Sequence, residues 1–270
     1  MTDKYAVIGN PIEHSKSPLI HQTFAQQTNQ DISYERILAP LDGFKDTVQA
    51  LIAQGYKGVN VTVPFKFEAY DMANVREPRT ELAGAANTMS FNASAITVDN
   101  TDGAGLVRDI VDNLKCEVQG KRVLLLGAGG AAEGVLLPLL GCNPHSLVIA
   151  NRTIHKAQAM VNKVKATPVN VKAVEFSRLV GEQFDVVINA TSAGLTDAAL
   201  PISDSIFAQG CLAYDMMYGR QTPFMKQAKA AGAQVADGLG MLVEQAAEAF
   251  YLWRGVRPQT QPVIDMIRAM

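Results

Sequence analysis

Apolar runs and amphipathic stretches alternate along the first hundred residues of the chain. Short runs rich in β-branched residues predict strands, and apolar residues spaced three or four apart predict helices. In chain order the predictions are strand 5–8, helix 18–27, strand 33–38, helix 41–54 and strand 58–63. This alternation indicates an α/β domain with a mostly parallel sheet, to which residues 87–92 and 95–99 add a hairpin before a helix from near Thr101.

A second alternating series begins at Lys121 and predicts a doubly wound, Rossmann-like domain. Its six predicted strands are residues 123–126, 147–150, 171–176, 185–189, 212–216 and 234–236. A strong helix pattern follows over residues 240–253 with no strand after it, so this helix is expected to return to the first domain. We therefore predict two α/β domains, the first formed by residues 1–102 with 239–270 and the second by residues 103–238.

Composition narrows the class of protein. Of the 270 residues, 48% are hydrophobic and 19% are charged, which suits a globular protein and excludes a disordered chain. The formal net charge is −2 and the basic residues are scattered, so no nucleic-acid partner is expected. No apolar run approaches the roughly 20 residues that cross a bilayer, so no membrane association is expected either.

The three cysteines, Cys116, Cys142 and Cys211, lack the spacing of metal ligands. We therefore predict reduced core thiols in a cytoplasmic protein without a metal site.

A glycine-rich turn follows the first strand of the second series. The pattern G-x-G-x-x-A joins a buried strand to helix-forming residues. The first glycine permits a tight turn, the second lets a pyrophosphate approach the backbone, and the helix N-terminus adds amide donors. Dinucleotide binding is therefore predicted, with a merely tight turn as the alternative. The predicted contact residues are Gly127, Ala128, Gly129, Gly130 and Ala131.

The next strand ends in Asn151, Arg152 and Thr153. NAD-specific sites usually carry Asp or Glu here to hold the ribose 2′-hydroxyl, whereas arginine suits a 2′-phosphate. Arg152 therefore indicates NADP. The alternative is an exposed arginine at a helix start, where a positive charge is mildly unfavourable.

Polar side chains are expected where the strand at 58–63 ends. Asn60 and Thr62 alternate with valines, so the strand period of two places both on one face, and Lys66 follows Pro64. Ligands of open α/β sheets collect outside the carboxyl ends of strands. The pattern fits a ligand site and an ordinary strand end with a solvated lysine equally well.

Three polar residues stand at predicted helix starts. Ser15 and Ser17 precede Pro18, a favourable first helical residue, and Asp102 begins the helix after the hairpin. Ser17 and Asp102 are candidate helix caps. A helix N-terminus with two hydroxyl groups is also a suitable seat for a carboxylate, so the two interpretations are compatible.

Gln245 lies on a helical stripe with Met241, Ala249 and Leu252, and this stripe is predicted to face the interior. A buried amide needs partners, so Gln245 is either a substrate ligand or a satisfied core glutamine. Tyr218 follows the strand at 212–216, and the pattern alone assigns it no role.

Together these segments resemble the shikimate dehydrogenase family over essentially the whole chain. Their order and number carry the resemblance, since any one of them could occur by chance. The matching segments are residues 9–11 (GNP), 14–18 (HSKSP), 60–66 (NVTVPFK), 84–88 (GAANT), 99–103 (DNTDG), 127–132 (GAGGAA), 151–153 (NRT), 189–192 (NATS) and 237–246 (DGLGMLVEQA).

The resemblance implies a substrate cleft between two domains, a substrate-binding domain first and an NADP-binding domain second. Lys66, with Asp102, is expected to handle the proton as hydride moves between nicotinamide C4 and the ring carbon. The expected substrate ligands are Ser15, Ser17 and Tyr218 for the carboxylate, and Asn60, Thr62, Asn87, Asp102 and Gln245 for the ring hydroxyls. The expected cofactor residues are Asn151, Arg152 and Thr153 at the 2′-phosphate, with Lys156 beside them, and Thr191, Met216 and Gly238 nearer the nicotinamide.

Three features depart from the family pattern. Glu133 stands where many relatives carry a basic residue near the cofactor phosphates, which bears on the strength of NADP binding. Ala86 replaces a common valine. Residues 219–223 form a shorter segment than usual and lack a frequent proline, which weakens the assignment of Tyr218.

The implied activity is the reversible NADPH-dependent reduction of 3-dehydroshikimate to shikimate, a step of aromatic amino acid biosynthesis. One alternative is a quinate/shikimate dehydrogenase with broader cofactor use, which an acidic residue in place of Arg152 would have favoured. The other is a catalytically silent NADPH-sensing module, which has no need of both Lys66 and Asp102. A small-molecule substrate and a monomeric or homodimeric state are expected.

Overall fold

The computed structural model describes residues 2–92, 95–193 and 198–270. The chain divides into two compact units: unit 1 comprises residues 1–105 and 243–270, and unit 2 comprises residues 106–242. Among the described residues, no helix is both long and apolar enough to cross a membrane.

The first part of the chain contains six strands and five helices in the described ranges. They are β1 (Asp3–Gly9), α1 (Ser17–Thr28), β2 (Ile32–Leu38), α2 (Phe44–Ala53), β3 (Tyr56–Val61), α3 (Lys66–Asp71), β4 (Val75–Arg76), α4 (Pro78–Ala83), β5 (Thr88–Asn92), β6 (Ala95–Asp99) and α5 (Asp102–Arg108), which a π-helical turn continues over Asp109–Asn113.

The remainder of the described chain adds six strands and five helices. They are β7 (Arg122–Leu126), α6 (Gly130–Gly141), β8 (Ser146–Ala150), α7 (Ile154–Lys163), β9 (Asn170–Val174), β10 (Phe184–Asn189), β11 (Phe207–Asp215), α8 (Pro223–Ala230), β12 (Gln234–Ala236), α9 (Leu239–Arg254) and α10 (Gln261–Arg268), with 3₁₀ turns at Phe176–Leu179 and Asp204–Ile206.

Unit 1 is built on a mixed six-stranded sheet with the order β2-β1-β3-β5-β6-β4. Strand β1 pairs in parallel with β2 and β3, and the hairpin strand β5 pairs antiparallel with β3 and β6. The carboxyl ends of β1 and β3 therefore lie side by side at one edge of the sheet, where the loops that follow them bring polar residues together.

Helix α9 packs on the sheet of unit 1. Trp253 of α9 stacks on Tyr5 with ring centroids 4.6 Å apart, and its indole N–H donates to the Met89 carbonyl at 3.2 Å. Gly58 on β3 permits this approach, because a Cβ there would lie 2.5 Å from the Trp253 Nε1 atom. Helix α9 thus returns to the N-terminal sheet, as its sequence position predicted.

Unit 2 is built on a parallel six-stranded sheet with the order β12-β11-β10-β7-β8-β9. This is the doubly wound order of a Rossmann-like domain, in which the order reverses between β7 and β10. Leu124 and Leu125 of β7 are fully buried, as a strand covered on both faces requires. The glycine-rich turn follows β7 and so lies at the point where the strand order reverses.

Several predicted boundaries in unit 1 were wrong. Helix α2 begins at Phe44, because the Gly43 amide donates to the Pro40 carbonyl in a tight turn that occupies residues expected to be helical. Strand β3 ends at Val61, because the Phe65 amide donates to the Thr62 carbonyl and turns the chain.

Three further predictions, on a strand end, on the inward face of α9 and on the cysteines, were partly wrong. The predicted strand 171–176 ends at Val174, because Phe176 begins a 3₁₀ turn. Leu252 is exposed, so the inward stripe of α9 ends before it. Cys211 is buried, but Cys116 and Cys142 are only half-buried and are not core thiols.

Candidate active site

Lys66 and Asp102 form an ion pair in unit 1. Lys66 is the first residue of α3, directly after the turn that ends β3, and Asp102 is the first residue of α5. The Lys66 Nζ atom lies 2.6 Å from Asp102 Oδ2, and the two side chains are 28% and 14% exposed. The Lys66 ammonium is paired with the largely buried Asp102 carboxylate but remains accessible to a ligand from solvent. Such a pair can deliver a proton to a bound ligand and recover it.

Asn87 joins this ion pair to Gln245 of α9 and to Thr101, which directly precedes α5. Its side-chain amide donates to Asp102 Oδ1 at 2.7 Å and to Gln245 Oε1 at 3.2 Å. Its Oδ1 atom accepts from the Thr101 amide at 2.8 Å, so the orientation of the Asn87 amide is fixed. Both carboxylate oxygens of Asp102 are therefore engaged by side chains, which is not the arrangement of a simple helix cap.

Gln245 is half-buried rather than buried in the core. Its Oε1 atom accepts hydrogen bonds from Asn87 and, at 3.4 Å, from the Thr101 hydroxyl. The helix α9 thus contributes one polar side chain to the group around Lys66 and Asp102.

Asn60 lies on β3, is buried, and is bonded through both ends of its amide. Its Oδ1 atom accepts from the Tyr34 hydroxyl at 2.7 Å, and its Nδ2 atom donates to Thr88 Oγ1 at 3.1 Å and to the Asn87 carbonyl at 3.2 Å. Thr62 does not share this arrangement. It lies beyond the end of the strand, and within the described ranges its hydroxyl forms no hydrogen bond to these residues.

Ser15 and Ser17 lie at the start of α1. Their hydroxyl oxygens are 3.2 Å apart, and Ser17 is buried. Lys16 occupies the cap position of α1, so the interpretation of Ser17 as the helix cap was wrong. The Arg36 guanidinium holds the loop by donating twice to the Ser15 carbonyl, at 3.0 and 2.6 Å.

The glycine-rich turn of unit 2 has the backbone that its sequence predicted. Gly127 has a φ of +107°, and a Cβ there would lie 3.1 Å from the Ala190 carbonyl oxygen and 3.2 Å from Thr191 Cγ2. Gly129 is exposed at the start of α6, and no side chain caps that helix. The first-turn amides of α6 are therefore left to an outside acceptor, which is the donor set that a pyrophosphate needs.

The segment after β8 presents basic side chains to solvent. Asn151 holds its turn by donating to the Thr153 carbonyl at 2.9 Å, and Thr153 holds the cap position of α7 without a side-chain cap bond. Arg152 and Lys156 are exposed. Among the residues that the structure describes, none forms a hydrogen bond or ion pair with the Arg152 guanidinium. These side chains fit a phosphate on the adenosine.

Glu133 on α6 is not an isolated negative charge. Its Oε1 atom lies 3.0 Å from Lys163 Nζ at the end of α7. This ion pair partly neutralises the negative charge of Glu133 near the glycine-rich turn. Glu133 therefore repels a bound phosphate less than an unpaired carboxylate would.

The other expected cofactor residues of unit 2 lie at the ends of β10, β11 and β12. The Asn189 Oδ1 atom accepts from the Thr191 hydroxyl at 2.7 Å, and Asn189 donates to the buried Asp215 at 3.1 Å. The Gly238 amide donates to the Met217 carbonyl at 2.9 Å. A Cβ at Gly238 would collide with the Met216 carbonyl oxygen, so only glycine fits there.

Tyr218 follows β11 in unit 2 and is 36% exposed. Partial burial raises the pKa of its hydroxyl, so the group stays protonated at neutral pH. Its expected contact with a substrate carboxylate stays a prediction.

Three family models match consecutive parts of the chain. They are the shikimate dehydrogenase substrate binding domain at residues 7–89, shikimate/quinate 5-dehydrogenase at residues 106–196 and the shikimate 5′-dehydrogenase C-terminal domain at residues 238–267. A shikimate dehydrogenase (NADP(+)) from Methylobacillus flagellatus is 61% identical over 268 residues, covering 99% of each chain. This chain belongs to the shikimate dehydrogenase family.

Solved structures agree with this membership. An Ael1 enzyme from Pseudomonas putida is 47% identical, covers 98% of each chain and has a TM-score of 0.94. A shikimate 5-dehydrogenase from Thermus thermophilus, solved in complex with NADP(H) and shikimate, is 28% identical, covers 99% of each chain and has a TM-score of 0.87.

Within this shikimate dehydrogenase fold, the structure reveals polar residues that sequence reasoning had assigned no role. Tyr34, Thr88 and Thr101 link the expected substrate ligands in unit 1, and Asn189 and Asp215 support Thr191 in unit 2. Thr88 lies opposite both Asn60 and Asp99 in the sheet, and this strand pairing could have indicated its role. Tyr34 gave no comparable signal, because β1 lies between its strand and the strand β3 that carries Asn60.

Proposed function

We propose that the chain is an NADP-dependent shikimate dehydrogenase, which reduces 3-dehydroshikimate to shikimate with NADPH and runs the reverse reaction with shikimate and NADP⁺. The observation that carries this conclusion is the Lys66–Asp102 pair at the centre of a buried group of amides and hydroxyls. The chain is similar over its full length to NADP-dependent shikimate dehydrogenases, and we assign the substrate and the cofactor on that basis.

Lys66 handles the proton. Bound NADPH supplies the hydride that reduces the ring carbonyl. The carbonyl oxygen becomes negatively charged as this happens, and a nearby donor lowers the energy of that charge. The Lys66 ammonium donates its proton to this oxygen, and Asp102 holds the nitrogen in place at 2.6 Å. In the reverse direction the neutral amine accepts the proton of the shikimate hydroxyl.

The amides of unit 1 orient the ring. Asn60, Asn87 and Gln245 have fixed side chains because each is bonded to neighbouring residues. We assign them to the ring hydroxyls, together with Asp102 and Thr62. A hydroxylated ring is matched best by groups whose donors and acceptors are already oriented, since no free energy is then spent on ordering them.

The two serine hydroxyls at the start of α1 are assigned to the substrate carboxylate, together with Tyr218. The N-terminus of α1 favours an anion, because the helix dipole is positive there. Ser15 and Ser17 both stand in this position.

The cofactor residues of unit 2 bind three parts of NADP. The backbone of Gly127, Ala128, Gly129, Gly130 and Ala131 and the first turn of α6 receive the pyrophosphate. Arg152, with Asn151, Thr153 and Lys156, binds the 2′-phosphate, for which a planar guanidinium is well suited. Thr191, Met216 and Gly238 are assigned to the nicotinamide end.

We further propose that unit 1 is the substrate-binding domain and unit 2 the NADP-binding domain, with borders near residues 102 and 238. A cytoplasmic location is proposed because the three cysteines are free thiols, which suit a reducing compartment. The oligomeric state is proposed to be a monomer or a homodimer.

The test of this function measures the absorbance of reduced cofactor with shikimate or quinate, each offered with NADP⁺ or NAD⁺. The expected result is the highest kcat/KM for shikimate with NADP⁺. Comparable values for quinate or for NAD⁺ would instead indicate a broader quinate/shikimate dehydrogenase. Absence of turnover with all four pairs, in protein that binds NADPH, would contradict the enzymatic assignment.

A further inference from the structure

A continuous network of side-chain hydrogen bonds connects Tyr34 to the ion pair within unit 1. Tyr34 is bonded to Asn60. From Asn60 the network continues through Thr88 and Asn87 to Asp102 and Lys66. Tyr34 has no expected contact with substrate of its own.

We infer that Tyr34 is a positioning residue, which holds the Asn60 amide in place through its oxygen and thereby sets the affinity for the substrate. This inference rests on the proposed function, because Asn60 is assigned there as a substrate ligand.

The direction of the bonds supports this role. The Asn60 Nδ2 group donates to Thr88 Oγ1 and to the Asn87 carbonyl. A carbonyl can only accept, so Nδ2 must face Asn87 and Oδ1 must face Tyr34. The Tyr34 hydroxyl supplies the donor that this buried oxygen needs, at 2.7 Å.

The surroundings of Tyr34 keep the hydroxyl in this state. Its ring stacks on the buried His21 ring with centroids 4.2 Å apart and an interplanar angle of 5°. Burial raises the pKa of Tyr34 well above its ordinary value, so the hydroxyl remains protonated. Burial also lowers the pKa of His21 to about 3, so the stacked imidazole is neutral and brings no charge under the network.

The chain offers a matched control at the neighbouring position on the next strand. Tyr5 on β1 lies directly opposite Tyr34 on β2, and it is also buried. Its hydroxyl accepts from Arg254 at 3.4 Å and lies outside the hydrogen-bonded network from Tyr34 to Lys66. Tyr5→Phe therefore removes a buried tyrosine hydroxyl without touching the network.

The experiment compares Tyr34→Phe, Tyr5→Phe, Asn60→Ala and the double variant Tyr34→Phe/Asn60→Ala in the full-length protein. For each, the KM of shikimate, the KM of NADP⁺, kcat and the thermal midpoint are measured. Tyr34→Phe keeps the ring and its stack on His21, so the fold is expected to persist, and the thermal midpoint and the NADP⁺ KM verify this.

Tyr34→Phe is expected to raise the KM of shikimate roughly five- to tenfold, the effect of about one neutral hydrogen bond, with kcat and the KM of NADP⁺ nearly unchanged. Tyr5→Phe is expected to leave the KM of shikimate unchanged. In the Asn60→Ala background, Tyr34→Phe is expected to add much less than it does alone, since two groups that act through one contact are not additive.

Two results would overturn the inference while leaving the proposed function intact. One is an unchanged KM in a folded Tyr34→Phe variant when Asn60→Ala raises the KM. The other is full additivity in the double variant, which would mean that Tyr34 does not act through Asn60. An unchanged KM in Asn60→Ala would instead remove Asn60 from the proposed substrate site, and the inference would fall with it.

Discussion

The expected substrate residues of unit 1 and the expected cofactor residues of unit 2 differ in how far the protein itself satisfies their hydrogen bonds. In unit 1, Asn60, Asn87 and Asp102 are bonded to neighbouring side chains and are largely withdrawn from solvent. In unit 2, the first turn of α6 is uncapped and Arg152 is exposed. One region is organised before a ligand arrives, and the other leaves its donors open.

The difference follows from what each region is proposed to bind. A small ring with several hydroxyls offers weak, directional contacts, so its ligands gain most from being oriented in advance. Phosphate groups carry full charges and accept strong hydrogen bonds from many directions. The amides of a helix N-terminus and a long arginine side chain are therefore sufficient to bind phosphate groups. Substitutions in unit 1 should therefore affect turnover or substrate binding, and substitutions in unit 2 should affect cofactor choice.

The largest effect is expected from Lys66→Ala. General acid–base groups contribute about 10²- to 10⁴-fold in rate, so kcat should fall by that order. Steady-state kinetics with shikimate and NADP⁺ measure it, with NADPH affinity as the control for folding. A well-folded variant with a raised KM and an unchanged kcat would show that Lys66 is only a substrate anchor.

Arg152→Ala is expected to act on the cofactor alone. A charged hydrogen bond to the 2′-phosphate contributes roughly 1.5 to 3 kcal/mol, so NADPH binding should weaken about tenfold to a hundredfold. NADH binding should be nearly unchanged, because NADH has no 2′-phosphate. Fluorescence titration with both cofactors measures the ratio, and equal losses for the two would reject this role for Arg152.

The buried His21, which stacks on Tyr34 in unit 1, predicts that the stability of the protein depends on pH. The folded pKa of His21 is about 3, below the ordinary 6.5, so the unfolded chain binds the extra proton first as the pH falls. This contribution to stability is complete above about pH 6.5 and is lost progressively toward pH 3.

Between pH 7 and pH 5 the loss amounts to roughly 2 kcal/mol for a group with this shift. His21→Phe should remove that part of the pH dependence, whereas His14, His145 and His155 remain in both proteins as an internal control. Unfolding of both proteins at the two pH values provides the measurement. Identical pH dependence in the two would contradict a depressed His21 pKa.

The smallest effect is expected from Gln245→Ala. Gln245 is half-buried at the edge of the network, and its oxygen accepts weakly from Asn87 and Thr101. Losing one neutral hydrogen bond to the substrate should raise the KM of shikimate roughly five- to tenfold, with the KM of NADP⁺ and the thermal midpoint close to the parent. A large fall in thermal midpoint with an unchanged substrate KM would restore Gln245 to a core role.

The cofactor region was predictable from the sequence because its residues are nearly contiguous. A strand, a glycine-rich turn and a helix form a local unit, and the positive φ of Gly127 follows from the same few residues. Arg152 ends the next strand of the same sheet, so the 2′-phosphate site also depends on short-range structure. Local patterns likewise predicted most strands, since the period of apolar residues follows directly from backbone geometry.

The substrate region was decided by tertiary structure. Asn87 and Gln245 are separated by 158 positions in the chain, and their contact exists because α9 returns to the first sheet. Whether Gln245 was a core amide, whether Ser17 capped its helix and whether Lys66 was solvated depended on neighbours that no local pattern specifies. Tyr34 shows this most clearly, since it lies on β2 while its partner Asn60 lies on β3, with β1 between the two strands. A side-chain hydrogen bond requires an approach within about 3.5 Å, and only the packing of distant elements determines which side chains come that close.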